Sequence, residues 1–211
     1  MNEQRIILLE QESEPMSLAR VLPYAKELLE SVIHEGDCVV DMTAGNGHDT
    51  LFLAEQVGPD GRVIAFDVQG QAIEETKRRL ETAHVKEWVD LYHESHIHVG
   101  ARLANEARPI RAGVFNLGYL PGSDKSVTTT GEDTLEALGA LLPVLVPGGL
   151  IVLVIYHGHV EGKRERDAVL DYVESLPQQD YAVLQYRFLN QQNNPPFIIA
   201  IEKKLKKQTL D

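Results

Sequence analysis

The sequence predicts a single α/β domain. Its seven-stranded, mostly parallel sheet carries helices on both faces and ends in an antiparallel hairpin at one edge. Three observations carry this expectation. Short apolar runs alternate with helical patterns from Cys38 to Ser175, the arrangement of βα units in a parallel sheet. The runs near Cys38, Val63 and Leu150 are apolar at consecutive positions, which implies burial on both faces. The last two runs, Tyr181–Phe188 and Phe197–Glu202, are joined by Leu189–Pro196 without a helical pattern, so they pair antiparallel.

The elements follow in order. Residues 1–14 are acidic and weakly patterned and read as an N-terminal extension with room for one short strand. The domain spans residues 15–205. From Pro15 to Ile33 the residues Leu18, Val21, Leu22, Ala25, Leu28, Leu29 and Val32 recur at helical spacing. Pro23 makes this helix start afresh or kink. Gly36 stops it, and Cys38–Asp41 is strand one. A loop leads to a helix over Asp49–Gln56, and the Gly58-Pro59-Asp60-Gly61 turn leads to strand two, Val63–Phe66. A helix over Gln71–Ala83 precedes strand three, Trp88–His93, whose residues alternate. A weak helical segment to Glu106 precedes strand four, Ala112–Asn116. Glu132–Leu145 is helical, Pro147-Gly148-Gly149 is a tight turn, and Leu150–Tyr156 is strand five. A charged helix over Gly162–Ser175 precedes the two closing strands.

With 211 residues and 43% hydrophobic content the chain can bury one core. Twenty basic against 32 acidic residues give a net charge of −12. This argues against broad nonspecific nucleic-acid binding and leaves room for a local basic patch. The single cysteine, Cys38, excludes a disulfide within the chain and reads as a small buried hydrophobe. No apolar run approaches the ~20 residues of a membrane span, and the N-terminus lacks a signal-peptide layout. A cytoplasmic protein is expected, with no membrane partner. The basic tail Lys203-Lys204-Leu205-Lys206-Lys207 reads as a solvated end.

The segment Val39-Val40-Asp41-Met42-Thr43-Ala44-Gly45-Asn46-Gly47-His48-Asp49-Thr50 carries the most information. It is a strand, a loop and a helix start, and Gly45 and Gly47 let the loop backbone approach a ligand closely. A G-x-G-x-x-G dinucleotide fingerprint would need glycine where Thr50 stands. Asp41 would repel a pyrophosphate and welcome a cationic amino-acid ligand. The loop therefore suits S-adenosylmethionine better than NAD, with Asp41, Thr43, Gly45, Asn46, Gly47 and Asp49 as cofactor-binding candidates. Asp67 ends strand two, where an acid can accept both ribose hydroxyls; it could also cap the helix starting near Gln69. Gln69 is a candidate on the adenosine side. After strand three, Ser95 is a candidate helix cap and His96 a candidate ligand contact. The spacing of His93, His96 and His98 is mixed and no Cys or well-placed acid completes it, so no metal is expected.

Strand four runs into Asn116-Leu117-Gly118-Tyr119-Leu120-Pro121-Gly122-Ser123-Asp124-Lys125. An asparagine at the strand end with an aromatic shortly after is similar in layout to the Asn-Pro-Pro-Tyr motif of methyltransferases acting on exocyclic amines. Asn116 would hold the amine N–H groups and Tyr119 would stack on the base; the alternative is a plain turn. Strand five ends in Tyr156-His157-Gly158-His159. Either histidine could accept a proton from an ammonium near neutral pH, or bind phosphate.

The glycine loop, the Phe115–Lys125 segment, Tyr156-His157-Gly158-His159 and Asn190-Gln191-Gln192-Asn193-Asn194-Pro195-Pro196-Phe197 together resemble one family over residues 20 to 203. This is the small bacterial methyltransferase family formerly labelled rRNA methylases and now associated with the tRNA wobble uridine. Val160-Glu161 departs from it, where the family often has proline and then glycines or acids. The resemblance implies a single Rossmann-like class I methyltransferase domain using S-adenosylmethionine. It also implies N-methylation of 5-aminomethyl-(2-thio)uridine in tRNA. The anticodon region would then meet a local basic patch of Lys125, Lys163, Arg164, Arg166 and Arg187. An anticodon base is already partly unstacked, which lowers the cost of extracting it. A homodimer is compatible with this reading. The alternatives are a methyltransferase for another RNA base or a small-molecule amine, and a nucleoside-binding module without turnover. An NAD-binding reductase is disfavoured by Thr50 and Asp41.

Overall fold

The computed structural model describes residues 17–104, 106–118 and 129–205. Its sheet has seven strands in the order β3-β2-β1-β4-β5-β7-β6. The strands are β1 (Cys38–Asp41), β2 (Arg62–Asp67), β3 (Val89–His93), β4 (Ile110–Leu117), β5 (Leu145–Ile155), β6 (Tyr181–Tyr186) and β7 (Phe197–Lys203). The pairs among β1 to β5 are parallel. β7 lies antiparallel to β5 and to β6, leaving β6 at the edge.

Among the described residues six α-helices cover the sheet: α1 (Val21–Glu30), α2 (His48–Val57), α3 (Gly70–Thr82), α4 (Val99–Leu103), α5 (Gly131–Val144) and α6 (Val160–Glu174). Alternate strand residues feed two cores. Val152, Val154, Ile198 and Ala200 pack with Val21, Ala25 and Leu29 of α1 and with Leu53, Ala54 and Leu80 of α2 and α3. Ile151, Leu153, Ile155 and Ile199 pack on the other face with Val99, Leu138, Leu141 and Val169 of α4, α5 and α6. Burial on both faces explains the unbroken apolar runs. Cys38 lies within the second core, and burial pushes its thiol up to about 12, so it is an inert hydrophobe at neutral pH.

The differences from the sequence expectations are local. Pro23 falls in the first turn of α1, where its missing N–H would have had no helical partner, so the helix starts around it rather than kinking. Trp88 belongs to a 3-10 turn over Lys86–Trp88, and β3 begins at Val89. The weak segment after β3 is a 3-10 turn, His96–His98, running into the short α4. The Pro147-Gly148-Gly149 turn lies inside β5. Leu145 pairs with Ile110 and Leu150 with Ala112, so the turn bulges out between two paired stretches.

Strand order reverses between β1 and β4, the topological switch point where α/β sheets bind ligands.

Candidate active site

A cavity of about 1410 Å³ opens at the carboxyl ends of β1, β2, β4 and β5, with α1 forming one wall. Its two sides are organised by different residues.

On the β1–β2 side, Asp67 is the hub. Its carboxylate accepts the Gly45 N–H at 2.8 Å and the Gln69 N–H at 2.9 Å. The first bond ties the glycine loop to the end of β2; the second starts α3. The N-cap of α3 is Gln69 and not Asp67, and a carboxylate with about four lone-pair sites keeps capacity for a ligand after accepting two bonds. Asp41 stands behind the loop, fully buried, and does not line the cavity. It accepts the Thr43 N–H at 3.1 Å and the Thr50 hydroxyl at 2.6 Å. Burial pushes its carboxyl up to about 7, with Asp49 and Asp67 adding to the shift and the bonds from Thr50 and Thr43 opposing it. Gly47 also sits behind the cavity. Its φ is +78°, and a Cβ there would stand 2.8 Å from Thr76 Cα. Thr76 in turn donates to the Gly45 carbonyl at 2.9 Å. The loop backbone is thus pressed against α3, leaving Gly45 and Asn46 to face the cavity.

His96 adds an orphaned polar atom. Its Nδ1 meets the Met42 carbonyl at 3.1 Å while its buried Nε2 has no hydrogen-bond partner. Burial lowers its pKa, so the ring is neutral near pH 7. A carbonyl can only accept, so Nδ1 carries the hydrogen and Nε2 is a bare acceptor at the cavity wall. A loop with glycine at Gly45, a carboxylate with spare lone pairs and an unpartnered acceptor fit a nucleoside with an amino-acid tail.

On the β4–β5 side, Asn116 is fixed from two directions. Its N–H donates to the Thr43 hydroxyl oxygen at 2.7 Å, and its Nδ2 donates to Asp49 at 2.8 Å. Asp49 also meets Lys26 of α1 at 3.5 Å. A carboxylate only accepts, so this bond leaves the Asn116 amide oxygen available as an acceptor. Tyr156 and His157 follow at the end of β5 and line the same space. Burial, with Asp49 nearby, raises the Tyr156 phenol, which therefore stays protonated. His157 is 2% exposed, and neither ring nitrogen makes a well-formed hydrogen bond with the protein. Burial lowers its pKa. The Arg166 and Arg187 guanidinium groups lower it further, while the backbone at His157 and Pro195 opposes. His159 lines the cavity at the start of α6.

Residues 63–202 match the family described as "Putative rRNA methylase", and residues 33–92 match a methyltransferase domain. The chain belongs to this family. It is 40% identical over 182 residues to a chloroplastic tRNA (mnm5s2U34)-methyltransferase of Arabidopsis thaliana, covering 82% of this chain and 66% of that protein. It thus spans just under two thirds of that relative's length. A family structure from Clostridium thermocellum is 38% identical with a TM-score of 0.85, covering 89% of this chain and 100% of that one. A methyltransferase from Streptococcus mutans in complex with SAH is also 38% identical, with a TM-score of 0.79, covering 88% and 99%. The domain is a Rossmann-like class I methyltransferase domain, whose cofactor is S-adenosylmethionine.

Within this methyltransferase domain, the structure brings most of the expected residues together. Thr43, Gly45, Asn46, Asp49, Asp67, Gln69, Ser95, His96, Asn116, His157 and His159 all line the one cavity. Two expected cofactor contacts are displaced: Asp41 and Gly47 shape the loop from behind. Asp41 is turned inward because its carboxylate is the acceptor that Thr43 and Thr50 require. Tyr119 and Lys125 lie outside the described residues. The described residues contain no group of three or more His, Cys, Asp or Glu able to hold a metal ion, and no helix among them is long and apolar enough to cross a membrane. The sequence reading missed Lys26, Thr129, Asp133 and Tyr156 as cavity-lining residues. Tyr156 stood in a motif already singled out, whereas Lys26 has no local signal because it reaches Asp49 only when α1 packs across β5.

Proposed function

We propose that the chain methylates the amino nitrogen of 5-aminomethyl-(2-thio)uridine at the wobble position of tRNA. The observation that carries this reading is the Asn116–Asp49 bond at 2.8 Å. It commits the amide N–H to Asp49 and leaves a carbonyl oxygen, the group that suits an amine N–H. The name of the Arabidopsis relative supports the substrate class.

When bound, S-adenosylmethionine supplies an electrophilic methyl group on a sulfonium. Asp67 would hold its ribose hydroxyls, the Gly45–Asn46 backbone its amino-acid tail, and His96 Nε2 a donor on its base. On the other side, Asn116 would orient the amine, and Tyr119, outside the described residues, is the residue expected to stack on the uracil ring. A primary amine arrives largely as an ammonium and must lose a proton before its lone pair can react. His157, kept neutral by burial and by Arg166 and Arg187, is the proton acceptor, with His159 as its alternate. No covalent enzyme intermediate is needed, so alignment carries most of the rate. Lys163, Arg164 and Arg187 are exposed and Arg166 is partly so; these side chains of α6 and the segment after β6 supply the contact for an anionic backbone on an otherwise acidic protein.

A small-molecule amine acceptor is the second reading, favoured by the net charge of −12. The deciding experiment incubates the protein and S-adenosylmethionine with tRNA bearing 5-aminomethyl-2-thiouridine, followed by mass analysis of the nucleosides. The methylaminomethyl nucleoside is the expected product. An unmodified tRNA alongside conversion of a free primary amine would overturn the proposal in favour of the second reading.

A further inference from the structure

We propose that Glu165 is a positioning residue for the acceptor side of the cavity. It holds Thr129, and through Thr129 the end of β4, in the arrangement that turnover requires. The inference rests on the reading above for the identity of the acceptor, and on hydrogen-bond geometry for the rest.

Glu165 lies on α6 and is 2% exposed. Its Oε2 accepts the Thr129 hydroxyl at 2.7 Å and its Oε1 accepts the Thr134 hydroxyl of α5 at 2.8 Å. The Thr129 oxygen also accepts the Gly118 N–H at 3.0 Å, and the Thr129 N–H donates to the Gly118 carbonyl at 3.3 Å. One carboxylate therefore fastens α5, Thr129 and Gly118 into a single chain of hydrogen bonds. Gly118 and Thr129 both line the cavity, two residues beyond Asn116 and at the approach to α5.

The packing is built for this approach. A Cβ on Gly131 would stand 3.1 Å from the Ala168 Cβ and 3.5 Å from the Glu165 Cα, so glycine lets the start of α5 rest directly on α6. Gly118 has a φ of +144°, and a Cβ there would stand 3.1 Å from the Tyr156 Cβ. The end of β4 is thereby seated against the end of β5 while its N–H points to Thr129.

Glu165 does not line the cavity, and both of its oxygens are committed to hydroxyl donors. Its hydrogen bonds reach the acceptor wall through Thr129, and its charge also faces His159. A carboxylate this deeply buried is costly to maintain unless its lone pairs are satisfied, and the two threonine hydroxyls supply those partners. Burial raises its pKa, with both hydroxyl bonds and His159 opposing and Asp133 adding to the rise.

The test compares Thr129→Val, Thr129→Ser and Glu165→Leu with the wild-type chain. Three readouts are taken: kcat/KM for aminomethyl-bearing tRNA, SAH affinity by calorimetry, and amide exchange at Gly118. Thr129→Val is expected to lower kcat/KM by roughly ten- to a hundredfold, the factor for a lost hydrogen bond to a charged group. SAH affinity should stay within about twofold, because the hydrogen bonds of Thr129 go to Gly118 and Glu165 and none goes to the donor loop, and Gly118 exchange should accelerate. Thr129→Ser, which keeps the hydroxyl, restores kcat/KM and Gly118 protection, a rescue that a volume effect alone would not produce. Glu165→Leu follows Thr129→Val; where it fails to fold, the threonine pair decides. Unchanged kcat/KM and Gly118 protection in Thr129→Val would overturn the proposal, as would a parallel loss of SAH binding. If the wild-type chain does not methylate this tRNA, the substrate reading falls, and Gly118 exchange in the two threonine variants still decides the role of the clasp.

Discussion

Around the ends of β1 and β2, carboxylates are held mainly by groups close in the chain. Asp41 takes the Thr43 N–H and the Thr50 hydroxyl, and Asp67 takes the Gln69 N–H and, 22 positions away, the Gly45 N–H. Around the ends of β4 and β5 the partners are distant: Asn116 bonds to Asp49 across 67 positions, and Thr129 to Glu165 across 36. The first side is built largely within residues 41–96, with Gly45 tied to Asp67 and Thr76 and Met42 tied to His96. The second exists only once α2, β4, α5 and α6 have been brought together. A donor site shared by many enzymes can be local, while the acceptor wall that distinguishes one substrate from another is assembled from the whole fold.

That contrast can be broken experimentally. The largest effect is expected from the buried acid of the local side. Asp41 has its carboxyl raised to about 7 from an ordinary value of 3.8. The folded state therefore holds a proton that the unfolded state has released between these values. Stability falls as pH rises from about 4 to about 7 and is level above, by up to roughly 4–5 kcal/mol at about 1.4 kcal/mol per unit. Asp41→Asn cannot titrate and should flatten this part of the stability profile, measured as Tm against pH. An identical profile in both proteins would show that the loop does not depend on the charge state of Asp41.

Next in size is Asp67→Ala, expected to weaken S-adenosylmethionine or SAH binding by ~1.5–3 kcal/mol, the range for a hydrogen bond to a charged group. Calorimetric titration reads it directly, and unchanged affinity would remove Asp67 as the hub of the donor side. The smallest effect in free energy sharpens the contrast most. Asn116→Ala should lower kcat by roughly tenfold or more, about 1.4 kcal/mol in the barrier, with donor affinity nearly unchanged. Equal loss of both would make β4 a donor wall and merge the two sides.

Apolar runs, helical periodicity and Gly/Pro turn signals together indicated seven strands and the principal helices, because apolar residues must repeat at the period of the element that buries them. β1 falls at Cys38–Asp41 as expected. The errors came where a local signal was overridden by pairing: the Gly148 turn reads as a break, yet Leu145 pairs with Ile110 before it.

The sequence by itself determined that the chain is an α/β protein with a glycine loop between two acids, and that Asn116 and the His157–His159 pair stand at the ends of two strands. It did so because neighbouring residues encode turns, strand ends and local hydrogen bonds through their own conformational limits. Only the tertiary structure decided that Asp41 faces inward, that β7 inserts between β5 and β6, that Lys26 reaches Asp49, and that Glu165 ties α6 to the end of β4. Each of these depends on which helix crosses which strand, a choice made by the packing of two apolar faces at once and carried by no segment alone.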